Sequence, residues 1–131
     1  MRYLSGDQIL IIHSLLIEEA GGLHGVRDNH LLQSIIHKPQ GVFGGKELYK
    51  GVFVKAAIYF ESLASYHVFI DGNKRTAFTV AARFLEINGY KLEASGKTIE
   101  TFVVTAVVEK WEIKDITAWL RKHTRKFEKR K

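Results

Sequence analysis

The sequence predicts an all-α fold, a single-domain helical bundle that carries one short hairpin flap. Between glycine-containing breaks, apolar residues recur mostly at spacings of three and four, the period of amphipathic helices. The chain has 131 residues, 46% hydrophobic and 26% charged, so it can bury one continuous core and does not have a disordered composition. We therefore expect one domain that spans residues 1–131.

The helix boundaries follow from caps and helix-breaking residues. Asp7 is expected to cap a first helix that ends at Gly21 and Gly22. A second helix is predicted to begin after Asp28 and to stop near Pro39, because the residue before a proline avoids helical angles. Four further helices are predicted at about Val52–Tyr66, Asn73–Asn88, Thr98–Lys110 and Asp115–Phe127.

Two segments are predicted to be extended. Residues 39–50 place Gly44 and Gly45 between two short extended pieces, a pattern typical of a two-stranded hairpin, which we call the flap. The alternating segment Tyr90–Ala94 is predicted to be a second short extended stretch. The flap residues considered as a docking surface are Val42, Phe43, Gly44, Gly45, Leu48 and Tyr49.

The formal net charge of +6 is concentrated at the C-terminal end. Residues 121–131, expected to be a basic helix tail, carry seven Lys or Arg residues and one acid, so the rest of the chain has no net charge. Cations at a helix C-terminus interact favourably with the helix dipole. This distribution argues against direct nucleic-acid binding by the domain, and leaves a nucleic acid or an acidic protein as alternative partners of the tail.

Composition also excludes several classes of protein. The chain has no cysteine, which excludes a disulfide framework and a thiolate metal site and fits a reducing compartment. Its longest apolar runs are interrupted by charge too soon to span a bilayer. An acid, Asp7, comes too early for a secretory signal. We therefore expect a cytoplasmic protein without a membrane partner.

The junction between the two most apolar predicted helices carries the candidate catalytic residues. Such junctions are usually short polar turns. Here the nine residues from His67 to Arg75 also contain Asp71, Asn73 and Lys74. A base, a metal ligand, an anion site and a cation are the components that phosphoryl or nucleotidyl transfer needs.

The second half of this junction is suited to binding phosphate. Gly72 permits a tight turn and a close approach of ligand to backbone. The helix beginning at Asn73 presents free N–H groups at the positive end of its dipole, which is an anion site. Arg75 adds a forked, permanent charge and Lys74 a movable one. We therefore expect all four residues to contact phosphate.

The first half supplies the base and the metal ligand. Asp71 offers a carboxylate oxygen, which Mg²⁺ prefers, and His67 is a competent base for a hydroxyl proton near neutral pH. Phe69 is expected to anchor the loop by burying its ring. The alternative is structural, with His67 at the surface and Asp71 as a helix cap. The two cations in the first helical turn oppose the dipole, which favours function because a bound anion would offset that cost.

At these residues the sequence resembles the Fic/Doc superfamily, whose loop reads His-x-Phe-x-Asp/Glu-Gly-Asn-Gly/Lys-Arg. The segments Gly21–Asp28 and Phe84–Tyr90 and the flap resemble the death-on-curing (Doc) branch, so the resemblance covers essentially the whole chain. It implies a Fic-like fold. The matching motif residues are His67, Phe69, Asp71, Gly72, Asn73, Lys74 and Arg75.

Two departures from the AMP-transferring members select the branch. Those enzymes usually carry Gly where this chain has Lys74, and a second Arg where it has Phe78. Doc-type members share both departures with this chain. The resemblance implies that Doc-type members bind the nucleotide in the opposite orientation and move its γ-phosphate, acting as kinases. One position points the other way, since Gly72 matches the AMP-transferring group whereas Ala occurs there in the Doc branch.

The resemblance also implies roles and partners. His67 would be the base, Asp71 the Mg²⁺ ligand, and Lys74 and Arg75 the phosphate cations, with ATP as substrate. The flap would hold a segment of the target by main-chain pairing, the alternative being an ordinary glycine-rich connection. The target class is a translation factor, elongation factor Tu, phosphorylated on a threonine to stop translation. The inhibitory partner would be an antitoxin whose disordered tail folds on binding.

Two alternatives to a kinase toxin remain open. The same site could transfer AMP to a protein hydroxyl. From a different class, the chain could be a non-catalytic binding module, either a helical nucleic-acid binder using its basic tail or an inactive relative serving as a partner. A nucleic-acid binder, however, would place its cations on one helix face and would not need a base and a metal ligand beside a glycine.

Overall fold

The computed structural model describes residues 1–127, which form six α-helices, one 3₁₀ turn at Lys38–Gln40 and two small antiparallel sheets. The helices are α1 Gly6–Ala20, α2 Asn29–His37, α3 Val52–Ser65, α4 Asn73–Ile87, α5 Gly96–Val108 and α6 Ile113–Lys122. The strands are β1 Val42–Phe43, β2 Lys46–Glu47, β3 Tyr90–Leu92 and β4 Thr124–Lys126. This architecture confirms the all-α fold with a hairpin flap.

The first two helices begin at side-chain caps. Ser5, rather than Asp7, caps α1, because its hydroxyl accepts from the Gln8 N–H while the Gln8 side chain accepts from the Ser5 N–H. Asp7 lies in the first turn of α1, where an acid favours the dipole. Asp28 caps α2 as predicted and accepts from the Leu31 N–H at 2.9 Å.

The core is centred on α3 and α4, which pack directly against each other. Small residues on the contact faces, including Ala56, Ala57, Ala77 and Ala81, are fully buried and let the two helix backbones approach closely. α5 packs through Phe102, whose ring stacks on Trp119 of α6 with the centroids 3.9 Å apart. The loop between α3 and α4 is therefore held at both ends by the best-packed part of the molecule.

The flap is the predicted hairpin. Val42 pairs with Glu47 and Phe43 with Lys46, and the two turn residues Gly44 and Gly45 have φ of 58° and 78°. Positive φ at both central residues is the geometry that a two-residue turn requires to match the twist of its strands, and glycine adopts it without steric cost.

The C-terminal end differs from the prediction. α6 ends at Lys122, not at Phe127, and β4 pairs with β3 in the register Tyr90↔Lys126 and Leu92↔Thr124. Strand β3 by itself would leave its backbone N–H and C=O groups unpaired, and β4 supplies their hydrogen-bond partners. This pairing outweighs the local preference of residues 123–126 for a helix. The prediction that the basic segment 121–131 is a helix tail is therefore wrong beyond Lys122, because residues 124–126 form β4. Residues 128–131 of this segment lie outside the described residues.

The helices of residues 1–127 fall short of what a membrane span requires. Each is too short, or not apolar enough, to cross a bilayer.

Tyr59 of α3 makes the fold sensitive to alkaline pH. Its ring is fully buried, and its hydroxyl accepts from the Leu4 N–H at 3.4 Å. Burial raises the pKa of Tyr59 from 10.0 to about 12. The folded chain therefore keeps this proton where the unfolded chain releases it, so the contribution to stability is fully present below pH 10 and is lost as the pH rises towards 12.

We expect Tyr59→Phe to flatten the fall of the free energy of unfolding over this pH interval. Urea unfolding at a series of pH values measures the slope, and Tyr90→Phe, which alters a half-buried strand residue, serves as the matched control. The same slope in wild type and Tyr59→Phe would contradict the assignment of the alkaline transition to this side chain.

Candidate active site

The junction between α3 and α4, residues 66–72, which we call the motif loop, buries two consecutive side chains and exposes the two on either side of them. Val68 and Phe69 are 0% and 1% exposed, so the predicted anchoring role of Phe69 agrees with its burial. His67 and Asp71 lie on the surface. His67 also has a φ of 50°, a conformation that is uncommon outside glycine and that concentrates at functional sites. The loop thus fixes its backbone in the core and presents its reactive groups to solvent.

His13 of α1, which the motif did not identify, holds the motif loop from one side. Its imidazole is 4% exposed and stacks on the Phe69 ring, with centroids 3.8 Å apart and planes 7° from parallel. Its Nε2 lies 2.8 Å from the Asp71 carbonyl oxygen, which can only accept, so Nε2 carries the proton. The sequence signal was its position on the apolar stripe of α1 with Ile9 and Ile17, at helical spacing.

The glycine-rich segment 21–28 supports the loop from a second side. Val26 and Phe69 form an antiparallel bridge, and the Arg27 N–H donates to the Val68 carbonyl at 2.7 Å. The Ile70 N–H donates to the Gly25 carbonyl at 3.1 Å. Gly25 has a φ of 130°, which residues with a Cβ rarely adopt, and a Cβ there would stand 2.8 Å from the end of the Ile70 side chain, so glycine is favoured at this position. The segment acts as a short strand that fixes the loop backbone.

The Asn73 side chain completes this support. Its Oδ1 accepts from the Phe69 N–H at 2.9 Å, and its Nδ2 donates to the Phe69 carbonyl at 3.0 Å. Both ends of the side-chain amide therefore bind the loop backbone. The backbone N–H of Asn73 is the group that can contribute to an anion site.

The N-terminus of α4 has the features of an anion site. Gly72 precedes it with φ 74° and ψ 19°, and no side chain caps the helix within the described residues. The first helical bond runs from the Thr76 N–H to the Gly72 carbonyl at 3.0 Å. Lys74 and Arg75 are exposed in this turn, and Arg75 donates to the Gly21 carbonyl at 3.4 Å. Uncapped amides and two cations are thus present together.

The Asp71 carboxylate is fixed by two backbone amides. Its Oδ1 accepts from the Gly72 N–H at 2.9 Å, and its Oδ2 accepts from the Leu23 N–H at 3.2 Å. A Cβ on Gly22 would stand 2.7 Å from Oδ2, so glycine admits the carboxylate to this position. Each oxygen has a further lone pair, so the exposed carboxylate can also bind a cation.

Two open cavities meet at Lys74. One, of about 490 Å³, is lined by His67 and Lys74 together with Glu61, Lys110 and Trp111 among others. The structure therefore places the predicted base and a predicted phosphate cation on one cavity wall. A substrate in this cavity would reach both groups.

The second cavity, of about 350 Å³, is mainly apolar. Lys74 and Arg75 lie at this cavity, which is also lined by Leu16, Phe78 and Val104. Lys74, which lines both, thus lies between the cavity that contains His67 and an apolar groove between α1, α4 and α5.

The flap lies apart from both cavities, whose linings contain none of its residues. Phe43 is 79% exposed, and Val42 and Leu48 are exposed as well. The connection to the motif loop runs through the 3₁₀ turn, where Lys38 Nζ lies 5.8 Å from the centre of the Tyr66 ring. The exposed docking residues Val42, Phe43 and Leu48 therefore form an apolar surface separate from both cavities.

Comparison with known proteins identifies a family whose matched region includes the motif loop. Residues 3–85, which include the whole motif loop, match the family model described as Fic/DOC family. The chain is 40% identical over 92 residues to Toxin Doc of Mycolicibacterium smegmatis, which covers 70% of this chain and 68% of that protein. It is 32% identical over 109 residues to Protein kinase doc of Escherichia phage P1, covering 83% and 86%. The chain therefore belongs to the Fic/DOC family, on its Doc branch.

Proposed function

We propose that this protein is a Doc-like toxin that transfers the γ-phosphate of ATP to a threonine hydroxyl of a translation factor, elongation factor Tu. One observation carries the proposal. The exposed base His67, the carboxylate of Asp71 and the uncapped, cationic start of α4 occur on one backbone that the core holds rigid. The relative named Toxin Doc supports a toxin role, and the relative named Protein kinase doc supports phosphoryl transfer.

The phosphates of ATP are proposed to bind at the start of α4. The backbone amides of residues 73–75 donate to phosphate oxygens, and Gly72 leaves the space for their approach. Lys74 and Arg75 supply charge-assisted contacts that strengthen as negative charge develops on the transferred group. Bound phosphate thereby offsets the unfavourable interaction of these cations with the helix dipole.

Asp71 fits a magnesium ion held jointly with phosphate. Its carboxylate is exposed and oriented by two amides, and within residues 1–127 no cluster of three His, Cys, Asp or Glu side chains offers an all-protein cage. Mg²⁺ usually takes one or two carboxylates, with the remaining ligands from water and phosphate. When bound, the ion would neutralise phosphate charge and orient the group for transfer.

His67 is proposed to accept the proton of the target hydroxyl. The hydroxyl oxygen forms a bond to the γ-phosphorus, the bond between that phosphorus and the bridging oxygen breaks, and ADP leaves with the bond's electron pair. The hydroxyl proton passes to the imidazole. His67 is exposed beside Lys74, so a protein hydroxyl can reach it from solvent.

The surroundings of α4 favour γ-phosphate transfer over AMP transfer. Phe78 packs against Phe102 and Trp119, with centroids 6.3 and 6.4 Å away, so its position belongs to the core and supplies no cation. Arg83 is exposed and pairs with Glu86, and it does not replace the missing Arg. The long side chain of Lys74 at this turn would also crowd the orientation in which an α-phosphate faces the acceptor.

AMP transfer is the second candidate function, favoured by one residue. Gly72, which matches the AMP-transferring group, has the left-handed φ of 74°. Glycine adopts this φ without steric cost, and a Cβ there would also stand 3.0 Å from Ile17 Cδ1, at the end of a flexible side chain. That structural reason weakens Gly72 as a marker of the reaction.

The partners in this proposal are a target and an antitoxin in the cytoplasm. The exposed flap edge would take an extended segment of the target as an added strand. A partly disordered antitoxin would fold on binding, and the apolar groove beside Lys74 and Arg75 offers it a surface next to the phosphate site. The basic C-terminal segment would attract an acidic region of such a partner.

We expect the protein to label purified elongation factor Tu from Mg-ATP carrying label at the γ position and not at the α position. Phosphorimaging after separation of the proteins measures the transfer, and omission of magnesium serves as a control. Label from the α position alone would replace the kinase proposal by AMP transfer. No transfer from either position would contradict this target and favour the binding module.

His67→Ala is expected to lower the transfer rate by about 10²–10⁴-fold, the usual contribution of a general base. The side chain is exposed, so circular dichroism and the melting temperature are expected to stay unchanged. His30→Ala, which alters another exposed histidine, is the matched control and is expected to keep full activity. Full activity in His67→Ala would exclude this imidazole as the base.

His13→Phe tests whether His13 positions Asp71. The variant retains an aromatic ring over Phe69 but removes the donor to the Asp71 carbonyl, so the half-saturating Mg²⁺ concentration is expected to rise about tenfold, as for other residues that orient a metal ligand.

The control is His123→Phe, because His123 also stacks on an aromatic ring, that of Trp119 at 4.0 Å, and places Nδ1 2.8 Å from the Trp119 carbonyl oxygen, which is not part of the motif loop. Its Mg²⁺ dependence is expected to match wild type. An equal shift in both variants would indicate general destabilisation and not positioning.

A further inference from the structure

Lys55, in the first turn of α3, is fully buried. Its exposure is 0%, and lysine is almost never this buried unless its charge is paired. The backbone N–H of Lys55 donates to the Gly51 carbonyl at 3.2 Å, directly after the flap. The side chain therefore lies at the point where the flap joins the helical core.

Three different segments meet the Lys55 ammonium group. Its Nζ donates to the Pro39 carbonyl at 2.8 Å and lies 3.2 Å from Glu47 Oε1 on strand β2 of the flap. It also lies 5.5 Å from the centre of the Tyr3 ring, whose face attracts a cation. One buried charge thus connects α3 to the N-terminal segment, the 3₁₀ turn and the flap.

Glu47 is the partner that neutralises this charge. A carbonyl and an aromatic face provide partial negative charge, but a buried ammonium requires a full counter-charge to remain ionised without a large cost. Within the described residues, Glu47 provides the carboxylate paired with Lys55. Moving β2 away would leave the ammonium buried beside two neutral partners, so the charge holds the flap against the core.

Among the residues that the structure describes, the strands of the flap have few other anchors. Its strands are two residues each, and all four strand residues are exposed. A two-stranded hairpin is marginally stable by itself. The Leu48 N–H donates to the Gly41 carbonyl at 2.9 Å and closes the base of the hairpin, but that bond does not join it to a helix. The ion pair is therefore a direct link between strand β2 and helix α3.

We propose that Lys55 is a positioning residue that, through its buried ion pair with Glu47, fixes the flap for docking of the protein substrate. The inference rests on the proposed function, in which the flap receives an extended segment. A pre-oriented edge binds such a segment without first losing its own conformational freedom. Because Lys55 lies near the start of α3, and α3 ends at Ser65, directly before the motif loop, the anchor also ties the flap to the helix that leads into the loop carrying His67.

The test compares Glu47→Gln, Lys55→Met and the double variant with wild type. Glu109→Gln, a carboxylate-to-amide change at an exposed helix end, is the matched control. Amide hydrogen exchange at Leu48 reports on the flap without requiring activity. The KM values for elongation factor Tu and for ATP report on docking and nucleotide binding separately. The double variant removes both charges and so leaves no unpaired ion.

We expect exchange at Leu48 to accelerate about tenfold in each single variant, and the double variant to exceed neither, because the two side chains act as one unit. The KM for the protein substrate is expected to rise about tenfold with the KM for ATP unchanged, as for loss of a docking contact. Glu109→Gln is expected to match wild type in all three measurements.

Unchanged exchange at Leu48 in Glu47→Gln and Lys55→Met would overturn the proposal that this ion pair holds the flap, whatever the transfer activity of these variants. Additive effects in the double variant would also overturn it, because they would show independent roles. Faster exchange with an unchanged KM for the protein substrate would overturn the docking role of the flap. Absence of any transfer reaction would reject the proposed function alone, since the exchange measurement still tests the anchor.

Discussion

Burial of Phe69 is the constraint on which the candidate site depends. The ring lies against the His13 imidazole, and the backbone of the same residue is bound by the Asn73 side chain and bridged to Val26. One apolar side chain in the core thus aligns α1, the glycine-rich segment and the start of α4. Because the backbone at Phe69 is held from these sides, the neighbouring polar groups need no contacts of their own with the core and remain at the surface.

The start of α4 shows a local conflict that function resolves. Two cations stand where the helix dipole disfavours them, and no side chain caps the amides within residues 1–127. Ser, Asp or Asn before this helix would add a side-chain cap and a small gain in stability, whereas Gly72 stands there and leaves the amides without one. The same choice leaves amides, cations and space for a polyphosphate. The start of α4 is thus less stable by itself than a capped helix would be, at the point where an anion is proposed to bind.

Two buried polar side chains fix the relative positions of elements that are distant in the sequence. His13 carries a hydrogen bond from α1 to the Asp71 backbone, and Lys55 carries a charge from α3 to the flap. Each is placed inside an apolar environment where leaving it without a partner costs more than a typical hydrogen bond returns. Buried polar contacts of this kind specify one arrangement of the elements, whereas the apolar core between α3 and α4 supplies most of the cohesion.

The sequence by itself determined the helices, the flap turn and the motif, because periodicity, Gly44-Gly45 and the residues from His67 to Arg75 are local signals. Only the tertiary structure decided the end of α6, the pairing of β4 with β3, and the parts played by His13, Lys55 and the Asn73 side chain. These features depend on groups far apart in the chain, whose hydrogen bonds and charges are satisfied only after the helices have packed.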